Sequence, residues 1–344
     1  MPPARTQGAA QRIREFHPRF SGAADSAIFD ARFRLSDAQL AIARECGFPS
    51  WTRLKRHIER PTLADRLDLP QHERIEDKDF RRAVELLDAG AATDLRAHLQ
   101  KHPHLARQRV SFEGGNYFRN PALLQFIAEN PIRRGRLPAN IVEMARIILD
   151  AGADQAARNE ALMLVSTGSV PRECGVQRAL IDVLSDCGAD PNTAARAAAL
   201  HGEHDALKAL IARGARIDLP AAAALGRVDD ARLLLDAASS EGRHLALSLA
   251  ADFGRVEIVR LLLDAGEDPN RYNPPGGHSH TTPLHQAAAK GHEEVVRLLL
   301  ERGAKTDLKD ILWHATPADW AQHAGKPEIV ELLREHDAKR KQKN

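Results

Sequence analysis

TPLHQAAAKGHEEVVRLLLERGA, residues 282–304, and TPADWAQHAGKPEIVELLREHDA, residues 316–338, are two copies of one pattern. Thr282 aligns with Thr316, Pro283 with Pro317, Ala287 with Ala321, Gly291 with Gly325 and Leu299 with Leu333, at a constant offset of 34. One step back, ALSLAADFGRVEIVRLLLDAGEDPN at 246–270 joins through Gly254/Gly291 and Gly266/Gly303, an offset of 37. A recurring period of this length marks stacked supersecondary units. Thr282 is expected to cap a helix through its hydroxyl, and Pro283 sits where a missing N–H costs nothing. Ala287, Ala288 and Ala289 keep that helix thin, so a neighbour can approach closely. Gly291 permits the reversal. The return helix carries Val295, Val296, Leu299 and Leu300 as an apolar stripe of helical period, and Gly303 ends it as a left-handed cap. Neither helix buries its apolar side alone, so neighbours must stack.

Thr282-Pro283-Leu284-His285-Gln286-Ala287 resembles the signature of ankyrin repeats, and TPADWA at 316–321 is similar, with Asp319 where the signature has histidine. The resemblance covers roughly 80–338 and is strongest over 245–338. It implies an all-α ankyrin-repeat solenoid of stacked helical hairpins, about seven of them. It also implies a scaffold role for Thr282, Pro283, Leu284, His285, Gly291 and Gly303, with His285 tying neighbouring loops by hydrogen bonds. A regular array is expected over 241–338 and a degenerate one over 79–240. There Gly152 to Gly188, Gly188 to Gly214 and Gly214 to Ala238 span 36, 26 and 24 residues. The two short spacings imply units that have lost their connecting finger.

Insertions in a solenoid map to loops on one face, often the binding face. Four stretches exceed what a repeat needs: VSFEGGNYFRN at 110–120, ENPIRRGRLPAN at 129–140, STGSVPRECGVQ at 166–177 and RYNPPGGHSHT at 271–281. Tyr117 and Tyr272, the two tyrosines of the chain, both lie in them. Aromatic and charged groups held on loops of a rigid scaffold favour recognition. The expected function is that of a binding or adaptor protein whose concave face and fingers hold a protein partner or a small polar ligand. The contact residues are Tyr272, His278, His280, Trp313 and His314, then Tyr117 and Arg119, with Arg172 and Glu173 in the third insertion.

Residues 1–60 do not follow the repeat. SDAQLAIARECGFPSWTRLKRHIE at 36–59 predicts a helical hairpin, expected to cap the array with Trp51 and Leu54 as anchors. The same spacing also fits a DNA-binding helix-turn-helix, and 1–60 holds eleven Lys/Arg against six Asp/Glu. Specific nucleic-acid binding calls for a stronger basic face, so that is the weaker alternative. Residues 61–78 are expected to be a linker and 339–344 a solvated basic tail.

The formal net charge of +2, from 49 Lys+Arg and 47 Asp+Glu, suits neither a nucleic-acid scavenger nor a membrane-surface protein. Cys46, Cys174 and Cys187 form no CxxC pair, and no apolar run of membrane-spanning length occurs; a cytoplasmic protein without membrane contact is expected. His278 and His280 are an HxH pair, a weak metal candidate without a nearby second ligand motif. Cys174, flanked by Arg172 and Glu173, is the one covalent candidate. Phosphate-loop, dinucleotide, serine-hydrolase and zinc-protease motifs are absent. No catalytic residue and no cofactor are expected. The alternative to an adaptor is a small-molecule enzyme with a pocket built from the four insertions.

Overall fold

A computed structural model describes residues 4–31, 33–59, 71–112 and 117–343. Residues 60–70, most of the expected linker, and 113–116 of the first insertion lie outside the described residues. The chain divides into two units, one of residues 1–76 with 112–114, the other of 77–111 with 115–344.

The first unit holds α1 (Ala4–Phe16), α2 (Asp25–Phe29), α3 (Leu35–Glu45) and α4 (Trp51–Glu59). α1 packs on α2 and α3, and α3 on α4. Ala10, Phe20 and Ile28 form a small core. The hairpin expected over 36–59 is α3 and α4; Leu54 is buried, whereas Trp51 is only partly so.

The second unit alternates inner and outer helices. α5 (Lys78–Asp88) and α6 (Ala92–Lys101) make the first pair. A buried 3-10 helix, Leu123–Ala128, followed by α7 (Ile141–Asp150) makes the second. Then come α8 (Gln155–Thr167), the short α9 (Ser169–Glu173) and α10 (Gln177–Asp186). α11 (Asn192–Leu200), α12 (His204–Ala212), α13 (Leu219–Leu225) and α14 (Val228–Leu234) follow. The series ends with α15 (Ser240–Asp252), α16 (Val256–Asp264), α17 (Pro283–Lys290), α18 (Glu293–Glu301), α19 (Pro317–His323) and α20 (Pro327–Lys343). The inner members α8, α11, α13, α15, α17 and α19 pack in sequence order; of the outer members α10 packs on α12, α14 on α16 and α16 on α18. No strand occurs among the described residues. The result is an all-helical repeat stack of eight pairs, where the spacing of glycines suggested about seven. The difference comes from 123–128, whose 3-10 helix stands in for an inner helix and carries no repeat signature.

The alanines of α13, α15 and α17 do what their size allows. Ala222, Ala223, Ala246, Ala250, Ala287 and Ala288 are fully buried, so the inner helices approach closely while Leu and Val of the outer layer fill the remaining space. Gly291 (φ 79°) turns α17 into α18 in the left-handed region, and an added Cβ would meet Lys326 at 3.0 Å. Connections after α7, α10, α12 and α14 are short. Long fingers follow α16 and α18, at residues 265–282 and 302–316. The loss of fingers expected for the two short spacings therefore extends to four connections. α20 continues through the expected basic tail as far as Lys343.

Candidate functional site

The two long fingers lie side by side and are bonded to each other. Ile311 N donates to His280 O at 2.9 Å, and Tyr272 Oη donates to Lys309 O at 2.6 Å. Within the first finger, Thr281 Oγ1 donates to His278 O at 2.9 Å and accepts from Gln286 Nε2 at 2.8 Å. Tyr272, expected to meet a partner, thus has its hydroxyl engaged in holding the second finger.

His285 links the scaffold motif to this region. Its Nε2 lies 3.2 Å from Ala315 O, an acceptor only, so Nε2 carries the proton and Nδ1 is the acceptor. Thr282 Oγ1 then donates to Nδ1 at 2.8 Å, and Thr282 N approaches Nδ1 at 3.3 Å. Thr282 and His285 form a reciprocal capping box at the start of α17, the ring taking the threonine proton. In the next repeat Asp319 does the ring's work, its Oδ2 accepting from Thr316 N at 2.8 Å and Thr316 Oγ1 at 2.7 Å. The loop-tying role implied for His285 is present in these contacts.

Asp310 organises the second finger. Its Oδ1 accepts from the N–H groups of Leu312 (2.9 Å) and Trp313 (2.7 Å), and its Oδ2 from Ala315 N (2.9 Å) and Trp320 Nε1 (3.1 Å). Burial pushes this carboxyl up, but the four donors outweigh it and hold its pKa at about 2. Clamped in this way, the finger presents Ile311, Leu312 and Trp313 at 55%, 60% and 65% exposure, three large apolar side chains in a row facing water. His314 follows with φ 52°, and His278 has φ 59°.

Trp313 and Trp320 stand 5.6 Å apart at 57°, with His280 at 5.2 Å from the first and 5.8 Å from the second. A cleft of about 480 Å³ opens beside them, lined by Trp313, Ala315, Asp319, Trp320 and His323. Trp320 was not among the residues singled out from the sequence. Its signal was its place in TPADWA, one step after the Asp that replaces histidine, where it had been absorbed into the scaffold motif. His278 and His280 have ring centroids 6.0 Å apart, and no group of three or more His, Cys, Asp or Glu could hold a metal ion among the described residues.

The other candidates lie apart from this cluster. Tyr117 donates its hydroxyl to Asn130 Oδ1, and Asn130 Nδ2 reaches Leu164 O at 3.3 Å. Arg119 is exposed. Arg172 pairs with the buried Glu203 and lies 3.6 Å from Glu173, at a cleft of about 470 Å³ lined also by Arg178 and His204. Cys174 is exposed at the end of α9 and does not line that cleft. The clefts at Arg172 and at Trp313 share no residue, and α13 to α18 intervene along the stack. These residues therefore form three separate clusters and not one pocket.

The insertion at 129–140 is largely exposed, but Glu129 and the Arg133 side chain turn inward. Arg133 forms a bidentate pair with Asp88 (3.0 and 2.9 Å) and meets Glu129 at 2.6 Å, all three side chains being at most 3% exposed. Glu129 Oε2 accepts from the N–H groups of Arg133, Arg134 and Gly135.

Paired helices stacked inner on inner and outer on outer, with fingers projecting from one end, define a helical repeat protein. Residues 247–344 match the family model for ankyrin repeats, in three copies that correspond to α15/α16, α17/α18 and α19/α20. Residues 247–344 are thus similar to ankyrin repeats, and the pairs before them share the inner-and-outer helical arrangement. No curated protein matches the chain.

Two buried histidines, His285 and His244, and the half-buried His204 give the stack an acid sensitivity. Burial lowers the pKa of His285, His244 and His204 below the ordinary histidine value. The unfolded chain then binds more protons than the folded one below about pH 6.5, so stability present above that pH is lost as pH falls. Melting followed by circular dichroism should shift to lower temperature between about pH 7 and pH 5. His285→Ala should melt earlier at neutral pH and show a shallower slope. A melting temperature that rises on acidification over this range would contradict the assignment.

Proposed function

We propose that the chain is a binding protein that docks a protein segment on the finger face of its last three hairpins. The row Ile311-Leu312-Trp313 carries the reading. Three large apolar side chains are held more than half exposed on a finger fixed by Asp310, and exposed apolar clusters of this kind mark interaction sites. Ankyrin repeats generally mediate protein–protein interaction, which supports a protein partner over a small polar ligand. His278 and His314, both exposed and at the finger tips, would rim the apolar row. Among the described residues no helix is long and apolar enough to cross a membrane.

Replacing Ile311, Leu312 and Trp313 together by Ser, Ser and Ala tests the reading. Their side chains contribute little to the core, so the unfolding free energy should change by less than about 0.5 kcal/mol per site. Capture of the partner from native lysate by the immobilised full chain should be lost. Retention of every captured protein by a folded triple variant would refute docking at this face.

A further inference from the structure

We propose that the cleft between Trp313 and Trp320 receives a methylated lysine side chain of the docked partner, its alkylated ammonium resting on the two indole faces with Asp319 as counter-charge. The proposal rests on the reading of the finger face as a protein-docking surface.

The two indole rings diverge at 57° with centroids 5.6 Å apart, so a cation seated in the notch lies within reach of both faces. Such a cation is attracted by the ring quadrupoles, tryptophan being the strongest partner. Trp320 is strengthened further, because its Nε1–H donates to the ionised Asp310 carboxylate and pushes electron density toward the ring. Two negative charges therefore border the notch: Asp310 behind Trp320, and Asp319 in its wall. His280, the third ring, has its pKa lowered by burial and by His278, so it stays uncharged near neutral pH and does not repel a cation. Lys309 is the nearby opposing charge, and it acts on Asp319.

Hydrogen bonding separates an alkylated ammonium from a bare one. A lysine ammonium or arginine guanidinium leaving water needs several acceptors to replace it. The acceptors here are occupied. Ala315 O takes both Asp310 N and His285 Nε2, Asp310 has four donors, and Asp319 Oδ2 has two. Asp319 Oδ1 remains as a single point of negative charge, insufficient for a bidentate guanidinium. Trimethylated ammonium donates no hydrogen bond and needs only aromatic faces and a nearby anion. That is what the cleft offers.

The test is isothermal titration of the full chain with a Gly-Ser-Xaa-Ser-Gly peptide. Xaa is trimethyllysine, unmodified lysine, or the neutral tert-butyl isostere of trimethyllysine. Trimethyllysine should bind about tenfold tighter than either of the others, the size expected for a desolvated cation over indole. Trp313→Ala should abolish binding, and Asp319→Asn should weaken it several-fold while keeping the Thr316 cap. If Trp320→Ala fails to fold, Trp320→Phe serves, with an expected partial loss. Equal affinity for trimethyllysine and its neutral isostere would overturn the proposal. So would binding of free choline with no response to the peptide, which would assign the cleft to a lipid-type headgroup. Peptide silence combined with lysate capture that still depends on Ile311-Leu312-Trp313 would remove this inference and leave the docking surface standing.

Discussion

Arg133→Ala is expected to lower the unfolding free energy by about 3–5 kcal/mol, the largest effect of any single substitution considered for this protein. The guanidinium sits between Asp88 and Glu129, donates to Phe126 O at 3.2 Å, and lies 5.0 Å over the Phe126 ring. Its removal takes the bidentate partner from Asp88, which keeps Arg134 at 3.3 Å, and an ion-pair partner from Glu129, which keeps three backbone N–H donors, and it opens space against a buried aromatic ring. Urea unfolding followed by circular dichroism measures the loss as a lower midpoint at an unchanged slope. The triple variant Asp88→Asn, Glu129→Gln, Arg133→Met keeps the shapes while removing all three charges, and should recover most of the deficit. A single variant within about 1 kcal/mol of wild type would mean that these groups are solvated, contrary to their burial.

Asp310→Ala comes next. A carboxyl held at about pKa 2 against an ordinary 3.8 contributes about 2 kcal/mol at neutral pH. The folded value is depressed, so this contribution is full above about pH 4 and disappears as pH falls through about 2. Removing the side chain also leaves three backbone N–H groups and the Trp320 indole N–H without their acceptor. The expected result is a loss of about 2–3 kcal/mol, together with a shift of tryptophan emission as Trp313 and Trp320 lose their fixed geometry. Asp310→Asn should recover only part, because its amide nitrogen faces donors. An unchanged emission spectrum in a folded Asp310→Ala would show that the finger is held by other means.

The regular part of the stack could be read from the sequence because each position of TPLHxA has a local physical reason. Gly291 needs the left-handed region, Pro283 the first turn, and Ala287 a thin helix; none depends on distant partners. The fingers were legible as surplus length between two motifs. What they contained was only partly so. Trp313 stands out on its finger, but the bond between Asp310 and Trp320 joins that finger to a helix whose sequence the repeat motif already explains as scaffold. The stretch 129–140 misled for a related reason. Arg133, Arg134 and Arg136 in one run look like a solvated loop, and only Asp88, 45 residues earlier, makes burial of Arg133 affordable. The second inner position was hidden as well, since LLQFIA at 123–128 folds into a 3-10 helix whose packing comes from Phe80 and Phe118.

Two of the groups that Asp310 fixes, Ala315 N and the Trp320 indole, belong to the threshold and body of α19, so local opening of the α19/α20 pair would dissolve the aromatic notch in the same event. In a linear array each pair can open as a unit. Whatever occupies the notch would therefore act as a latch against that opening. Held at a hundred times its dissociation constant, it would add about 2.7 kcal/mol to closure, and proteolysis through the opened pair would slow in proportion.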